Sequence, residues 1–129
     1  MALNVLIVDD SGVMRAMILK TMKMTGLPLG EIYQAANGQE GLAALGENWV
    51  DLVIVDINMP VMNGEEMIDT MRTLPELADI PIVVISTEGS ETRIERLRKK
   101  GAHFIHKPFT PETIRDTIMK ITGIGDGNA

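Results

Sequence analysis

The chain has 129 residues, 45% of them apolar but only 3% aromatic, with a net charge of −6 and no cysteine. That is the size of one globular domain with an aliphatic and methionine core; the missing cysteines exclude disulfides, thiolate metal sites and thiol nucleophiles, and fit a reducing cytoplasm. The acidic balance argues against general affinity for nucleic acid, and no run approaches the roughly 20 apolar residues that span a bilayer, so a soluble, cytoplasmic protein with no membrane insertion is expected.

Residues 5–8 form a continuous apolar run that ends on Asp9-Asp10, the pattern of a strand covered on both faces, and a helix should follow and close near Gly26. Met14, Met17 and Met24 recur along it at helical spacing and are expected to fill the core. Residues 32–35 carry Gln34 behind Glu31 and read as an edge strand, after which Asn37-Gly38 turns the chain into a second helix. Leu52–Val55 is a second buried strand, ending at Asp56, and Asn63-Gly64 marks the turn ahead of a third helix. Residues 82–85 make a third buried strand that runs into Ser86-Thr87. The following helix contains "RIERLRKK", residues 93–100, either a solvated face or a partner surface, and stops at Gly101. Residues 104–105 form a weaker edge strand between His103 and His106, read as partly exposed strand histidines, and lead to Lys107-Pro108. Thr110-Pro111-Glu112 supplies a capping hydroxyl, a first-turn proline and a first-turn acid, with Ile114, Ile118 and Ile121 on one face behind them. The Gly-rich residues 123–129 should be a frayed tail, leaving 1–122 as a single domain.

Five alternating strand and helix units with right-handed crossovers specify a doubly wound α/β sandwich on a parallel sheet, in which ligands gather beyond the carboxyl ends of the strands. Three acids (Asp9, Asp10, Asp56), a hydroxyl (Ser86) and an ammonium (Lys107) fall there. Each alone reads as a helix cap, a turn or a solvated edge residue. Together, three carboxylates in one cleft force protons onto one another unless a cation is present. An all-oxygen donor set suits Mg²⁺, or Mn²⁺ in its place, with room for phosphate oxygens. One carboxylate can then act as a nucleophile that forms an acyl phosphate, with Lys107 and the Ser86 hydroxyl neutralising the phosphoryl oxygens.

The segments "LIVDDS", "VIVDINMPVMNG", "VVIST" and "GAHFIHKPFTP" resemble the signature segments of response-regulator receiver domains of the CheY type, and the resemblance covers residues 5–121. It implies a flavodoxin-like sheet of strand order 2-1-3-4-5 with five helices. It also implies two-component signalling in which Asp56 accepts a phosphoryl group from a sensor histidine kinase. Asp10, Asp56 and the Asn58 carbonyl would hold Mg²⁺ directly, and Asp9 through water. Ser86 falls on the switch hydroxyl, Lys107 on the phosphate-pairing lysine, Phe104 on the aromatic switch, and Lys107-Pro108 on a cis peptide. Asn58 and Glu88 resemble the pair that borders the path of the hydrolytic water in fast-resetting chemotaxis regulators. Thr87 stands where the family has Ala or Gly, and either narrows that path or adds a second hydroxyl. The segment from Ser86 to Lys107 is one residue short of the family pattern, and the missing residue is placed in a loop at Ala102-His103.

A flavodoxin would place a flavin phosphate against Asp9-Asp10, which repel it. An aspartate-nucleophile phosphatase wants a second Asp two positions beyond the first, where Asn58 stands. The expected protein is therefore a phosphoacceptor switch rather than an enzyme with outside substrates. The resemblance also implies an output partner that binds through the fourth helix, fifth strand and fifth helix. The alternative is a phosphorylation-independent scaffold on the same fold.

Overall fold

A computed structural model describes residues 2–123; the tail expected over 123–129 lies, apart from Gly123, outside the described residues. Five parallel strands, β1 (Leu3–Val8), β2 (Leu29–Ala35), β3 (Leu52–Val55), β4 (Ile82–Ser86) and β5 (Ala102–His106), alternate with α1 (Gly12–Lys23), α2 (Gly38–Glu47), α3 (Gly64–Thr73), α4 (Glu91–Lys99) and α5 (Pro111–Thr122). The order is β2-β1-β3-β4-β5, as the resemblance implied.

Side chains alternate across each strand, so a continuous apolar run fills two cores at once. Leu6, Val8, Val53, Val55 and Val84 pack with Met67, Ile68, Met71 and Leu97 under α2, α3 and α4. Val5, Ile7, Leu52, Ile54, Val83 and Ile85 pack with Ile18, Met22, Ile114 and Ile118 under α1 and α5. Edge strand β2 has no fully buried residue except Ala35.

Helix starts follow their capping residues: the Ser11, Asn37, Asn63, Ser90 and Thr110 side chains each accept an amide of the first turn. At α3 the cap is reciprocal, since Glu66 also accepts the Asn63 amide at 3.0 Å. Gly26 and Gly101 adopt left-handed conformations just beyond α1 and α4, where a Cβ would be strained.

Two expectations are corrected. Met17 and Met24 are 50% and 64% exposed; Met14 does pack against the core, in line with buried Ile18 and Met22 at i+4 and i+8, and Met17 and Met24 fall off that face. Ala102 and His103 are not loop residues: they open β5, opposite Ile82 and Val83. The chain can enter the strand that early because Gly101 turns it at positive φ immediately after the α4 cap.

Gly64 brings the start of α3 close against the loop after β3. Its amide donates to the Ile57 carbonyl at 2.9 Å. A Cβ there would collide with the Asp56 carbonyl oxygen and lie 3.0 Å from the Ile57 Cα, and backbone cannot swing aside as a side chain can. Gly64→Ala is therefore expected to cost about 2–3 kcal/mol, read as a lower urea midpoint with an unchanged m-value.

Candidate functional site

The sheet itself brings the site residues together. Beyond the strand ends, the Asp56 amide donates to the Val8 carbonyl, and the Lys107 amide to the Ser86 carbonyl, both at 3.0 Å. Asp9 and Asp56 therefore start side by side, as do Ser86 and Lys107. A carboxylate oxygen from each of Asp9, Asp10 and Asp56 lies within 4.8 Å of the other two. Asp9 is buried, Asp10 is exposed, and the Asp56 side chain is 12% exposed.

Lys107 supplies a positive charge to two of the three acids. Its Nζ stands 3.2 Å from Asp56 Oδ2 and 3.4 Å from Asp9 Oδ2, and one ammonium leaves the cluster net negative. Burial pushes the Asp9 carboxyl above its ordinary value, opposed by the Ser11 amide on Oδ1 and by the Lys107 charge. The Ile57 amide holds Asp56 Oδ1 at 2.7 Å. This compact, all-oxygen cluster with surplus negative charge fits a hard divalent cation.

Ser86 is fully buried, and its hydroxyl accepts the Glu88 amide at 3.1 Å. Thr87 beside it is exposed, so the two hydroxyls lie in different surroundings. Phe104 is half-buried against the α2–α4 core, its ring meeting His106 edge-on with centroids 4.7 Å apart. The Lys107-Pro108 peptide is cis. Asn58 is exposed. The Glu88 carboxylate is engaged by the Ser90 amide at 3.0 Å and Arg93 Nη1 at 3.1 Å.

Other residues at the site carried no motif signal. Arg15 donates to the Asp9 carbonyl at 2.6 Å and to Gln34 at 3.1 Å, tying the end of β1 to β2. Val61, in the loop after β3, has φ 68°, a left-handed conformation that a β-branched residue rarely adopts. Arg15 falls one turn into a helix the sequence does outline, and its spacing from Asp9 was the available signal; Val61 had none.

The basic run of α4 divides. Glu65 of α3 accepts Arg96 at 2.5 and 2.8 Å and Lys100 at 2.9 Å, and Lys100 also reaches Asp69 at 2.7 Å. Arg98 instead lines a groove of about 470 Å³ over β5, with His103, Phe104, Thr117 and Lys120. So one face of the run is spent on α3 and another remains at the surface. The Arg96 hydrogen bonds, above all, hold the Glu65 carboxyl down to about 2, against an ordinary 4.5. Because the folded value is the lower one, this stabilisation is complete above pH 4.5 and disappears as pH falls toward 2. Glu65→Gln should therefore melt below the parent at neutral pH and converge with it near pH 2. Added salt should narrow the neutral-pH gap, since the Arg96 side chain is half exposed.

Compared with known sequences, residues 5–119 match the response regulator receiver domain. The chain belongs to that family. Among its relatives, the chemotaxis protein CheY homolog of Campylobacter jejuni is 35% identical over 127 residues, covering 97% of this chain and 96% of the relative. Chemotaxis protein CheY1 of Helicobacter pylori is 32% identical over 126 residues, covering 96% and 100%. The structure of Vibrio cholerae chemotaxis protein CheY4 superposes with a TM-score of 0.82 at 34% identity, covering 94% of this chain and 99% of that one. As a receiver, the chain is a phosphoacceptor module of two-component signalling. No helix among the described residues is long and apolar enough to cross a membrane.

Proposed function

We propose that this chain is a cytoplasmic switch of chemotaxis-type two-component signalling. Asp56 takes a phosphoryl group from a phosphohistidine of a sensor histidine kinase, and the charge change alters binding of a protein partner. The observation that carries the reading is the Asp56 carboxylate, oriented by the Ile57 amide, with the Lys107 ammonium 3.2 Å away and two further acids beside it.

In the transfer, an Asp56 oxygen attacks phosphorus. A P–O bond forms as the donor P–N bond breaks, and that electron pair returns to the imidazole. Lys107 stands where it can meet the oxygens of the arriving phosphoryl group. Asp10, Asp56 and the Asn58 carbonyl would hold Mg²⁺, with Asp9 acting through water, and when bound the ion supplies positive charge to those same oxygens. Ser86, on the neighbouring strand, is the hydroxyl that can turn toward the product, and Phe104 shares its face of the sheet two residues before His106, the partner of Ser86 in register.

The groove over β5 between α4 and α5, edged by Arg98, His103 and Lys120, supports an output partner on that face. Exposed Asn58 and Thr87 leave the approach to Asp56 unsealed, which supports fast loss of the phosphoryl group; Glu88 can orient water only after leaving Arg93. The chain acts on its own acyl phosphate and turns over no outside substrate. Acetyl phosphate with Mg²⁺ is expected to add one phosphoryl group, seen by intact mass. No labelling, or equal labelling in a chelator, would remove this reading.

A further inference from the structure

Ser86 is linked to the α3–α4 interface by consecutive short contacts. Its buried hydroxyl accepts the Glu88 amide at 3.1 Å; the Glu88 carboxylate accepts Arg93 Nη1 at 3.1 Å; and the other edge of the same guanidinium faces Glu65, already bonded to Arg96 and Lys100. One atom in this chain is left over. Arg93 Nε is buried and has no hydrogen-bond partner, although Glu65 Oε1 lies 3.9 Å away, within ionic reach but too far for a hydrogen bond. A buried N–H left unsatisfied is unfavourable, and a short movement onto Glu65 would satisfy it.

We propose that Arg93 is a two-position positioning residue, held on Glu88 while Ser86 keeps the Glu88 amide and closing through Nε onto Glu65 when the Ser86 hydroxyl is drawn to a phosphoryl group. The coupling to phosphorylation rests on the reading of Asp56 above; the two positions of Arg93 do not. Withdrawing Ser86 removes the bond that folds Glu88 back over the end of β4, and the Glu88 carboxylate moves with its backbone. Neither position separates charge, because Glu65, Asp69 and Glu88 balance Arg93, Arg96 and Lys100 in both. The result is that the state of the site is registered as a changed contact between α3 and α4.

The Nε–H signal of Arg93 in a nitrogen–proton NMR spectrum reads this directly and is assigned by its loss in Arg93→Lys. Treating the parent with acetyl phosphate and Mg²⁺ should shift the signal downfield and slow its exchange with water. Glu88→Gln should produce the same change with no phosphodonor, because the competing carboxylate charge is gone. Glu65→Gln should still be labelled but show no change. All three substitutions keep the side chain near its original length on a partly exposed edge, and an unchanged backbone amide pattern away from α3 and α4 checks the fold. An Arg93 signal that stays put in Glu88→Gln, or in protein shown by mass to be phosphorylated, overturns the proposal. Failure to label at all overturns the assignment of Asp56, and the Glu88→Gln spectrum then still decides whether Arg93 has a second position.

Discussion

Asp56→Asn is expected to reduce labelling by acetyl phosphate at that position to background, whatever the Mg²⁺ concentration. The substitution keeps the volume of the side chain and an oxygen for the Ile57 amide at 2.7 Å, so the loop after β3 stays in place. What it removes is the negative charge and the free electron pairs that attack phosphorus, since an amide delocalises its lone pair and cannot form a stable acyl phosphate. Asp9 and Asp10 are within 4.8 Å, which makes the experiment discriminating: proximity alone would let either neighbour take over. Asp9 is buried and occupied by Ser11 and Lys107, and Asp10 is exposed, the Lys107 ion pairs being with Asp9 and Asp56. Intact mass after donor treatment, followed by peptide mapping, settles the point. A phosphoryl group on residue 9 or 10 of the parent protein would show that the wrong carboxylate had been named.

Lys107→Met should separate the structural part of this lysine from its chemical part. Methionine keeps most of the length and packing but removes the cation paired with Asp9 and Asp56. Breaking a buried pair from one side typically costs about 3–5 kcal/mol, and the exposed Asp10 edge of this cluster admits water, so about 2–3 kcal/mol is expected at neutral pH. The loss should shrink in acid. Asp9 already titrates above its ordinary 3.8 in the fold, and Lys107 is one of the groups holding it down; without the lysine its folded value rises further. Between 3.8 and that raised value the folded protein binds more protons than the unfolded chain, so stability falls as pH rises through the window, and the penalty is largest above it. Millimolar Mg²⁺ should restore part of the stability by binding only the folded cluster. Asp10→Asn should move the other way, gaining about 1 kcal/mol in the metal-free protein by relieving carboxylate repulsion. Lys107→Met should still label, more slowly, and lose the downfield Arg93 signal, since Ser86 would no longer meet a phosphoryl group held by the lysine. Melting curves across pH, with and without Mg²⁺, carry the stability half; an unchanged melting temperature would mean the acids are compensated by something other than Lys107.

The strands and the chemistry at their ends were legible because both depend on neighbours in sequence. A β-branched run such as Leu52–Val55 has nowhere to go but the interior, and the residue that follows it, Asp56, must emerge at the sheet edge where ligands gather. Thr110-Pro111 and Asn63-Gly64 start helices through bonds made within four residues. The same locality explains the errors. Met17 and Met24 have the spacing of a helix face, but which face meets the sheet is decided by how α1 lies on β1, β2 and α5, and that placed Ile18 and Met22 inside. Whether the short segment before β5 shortened a loop or moved the strand start depended on pairing with Ile82 and Val83 across twenty residues. Above all, the three strand-end acids could be read as needing a cation, which pointed to Mg²⁺, with Lys107 reserved for the phosphoryl oxygens; that Lys107 pairs directly with Asp9 and Asp56 follows from the fold. That the basic run of α4 is divided between α3 and the surface, and that Arg93 stands between Glu88 and Glu65, is set by long-range packing. Glu65 and Arg96 are 31 positions apart, and no periodicity or spacing rule reaches that far, because their meeting is set by the packing of two helices on a shared sheet.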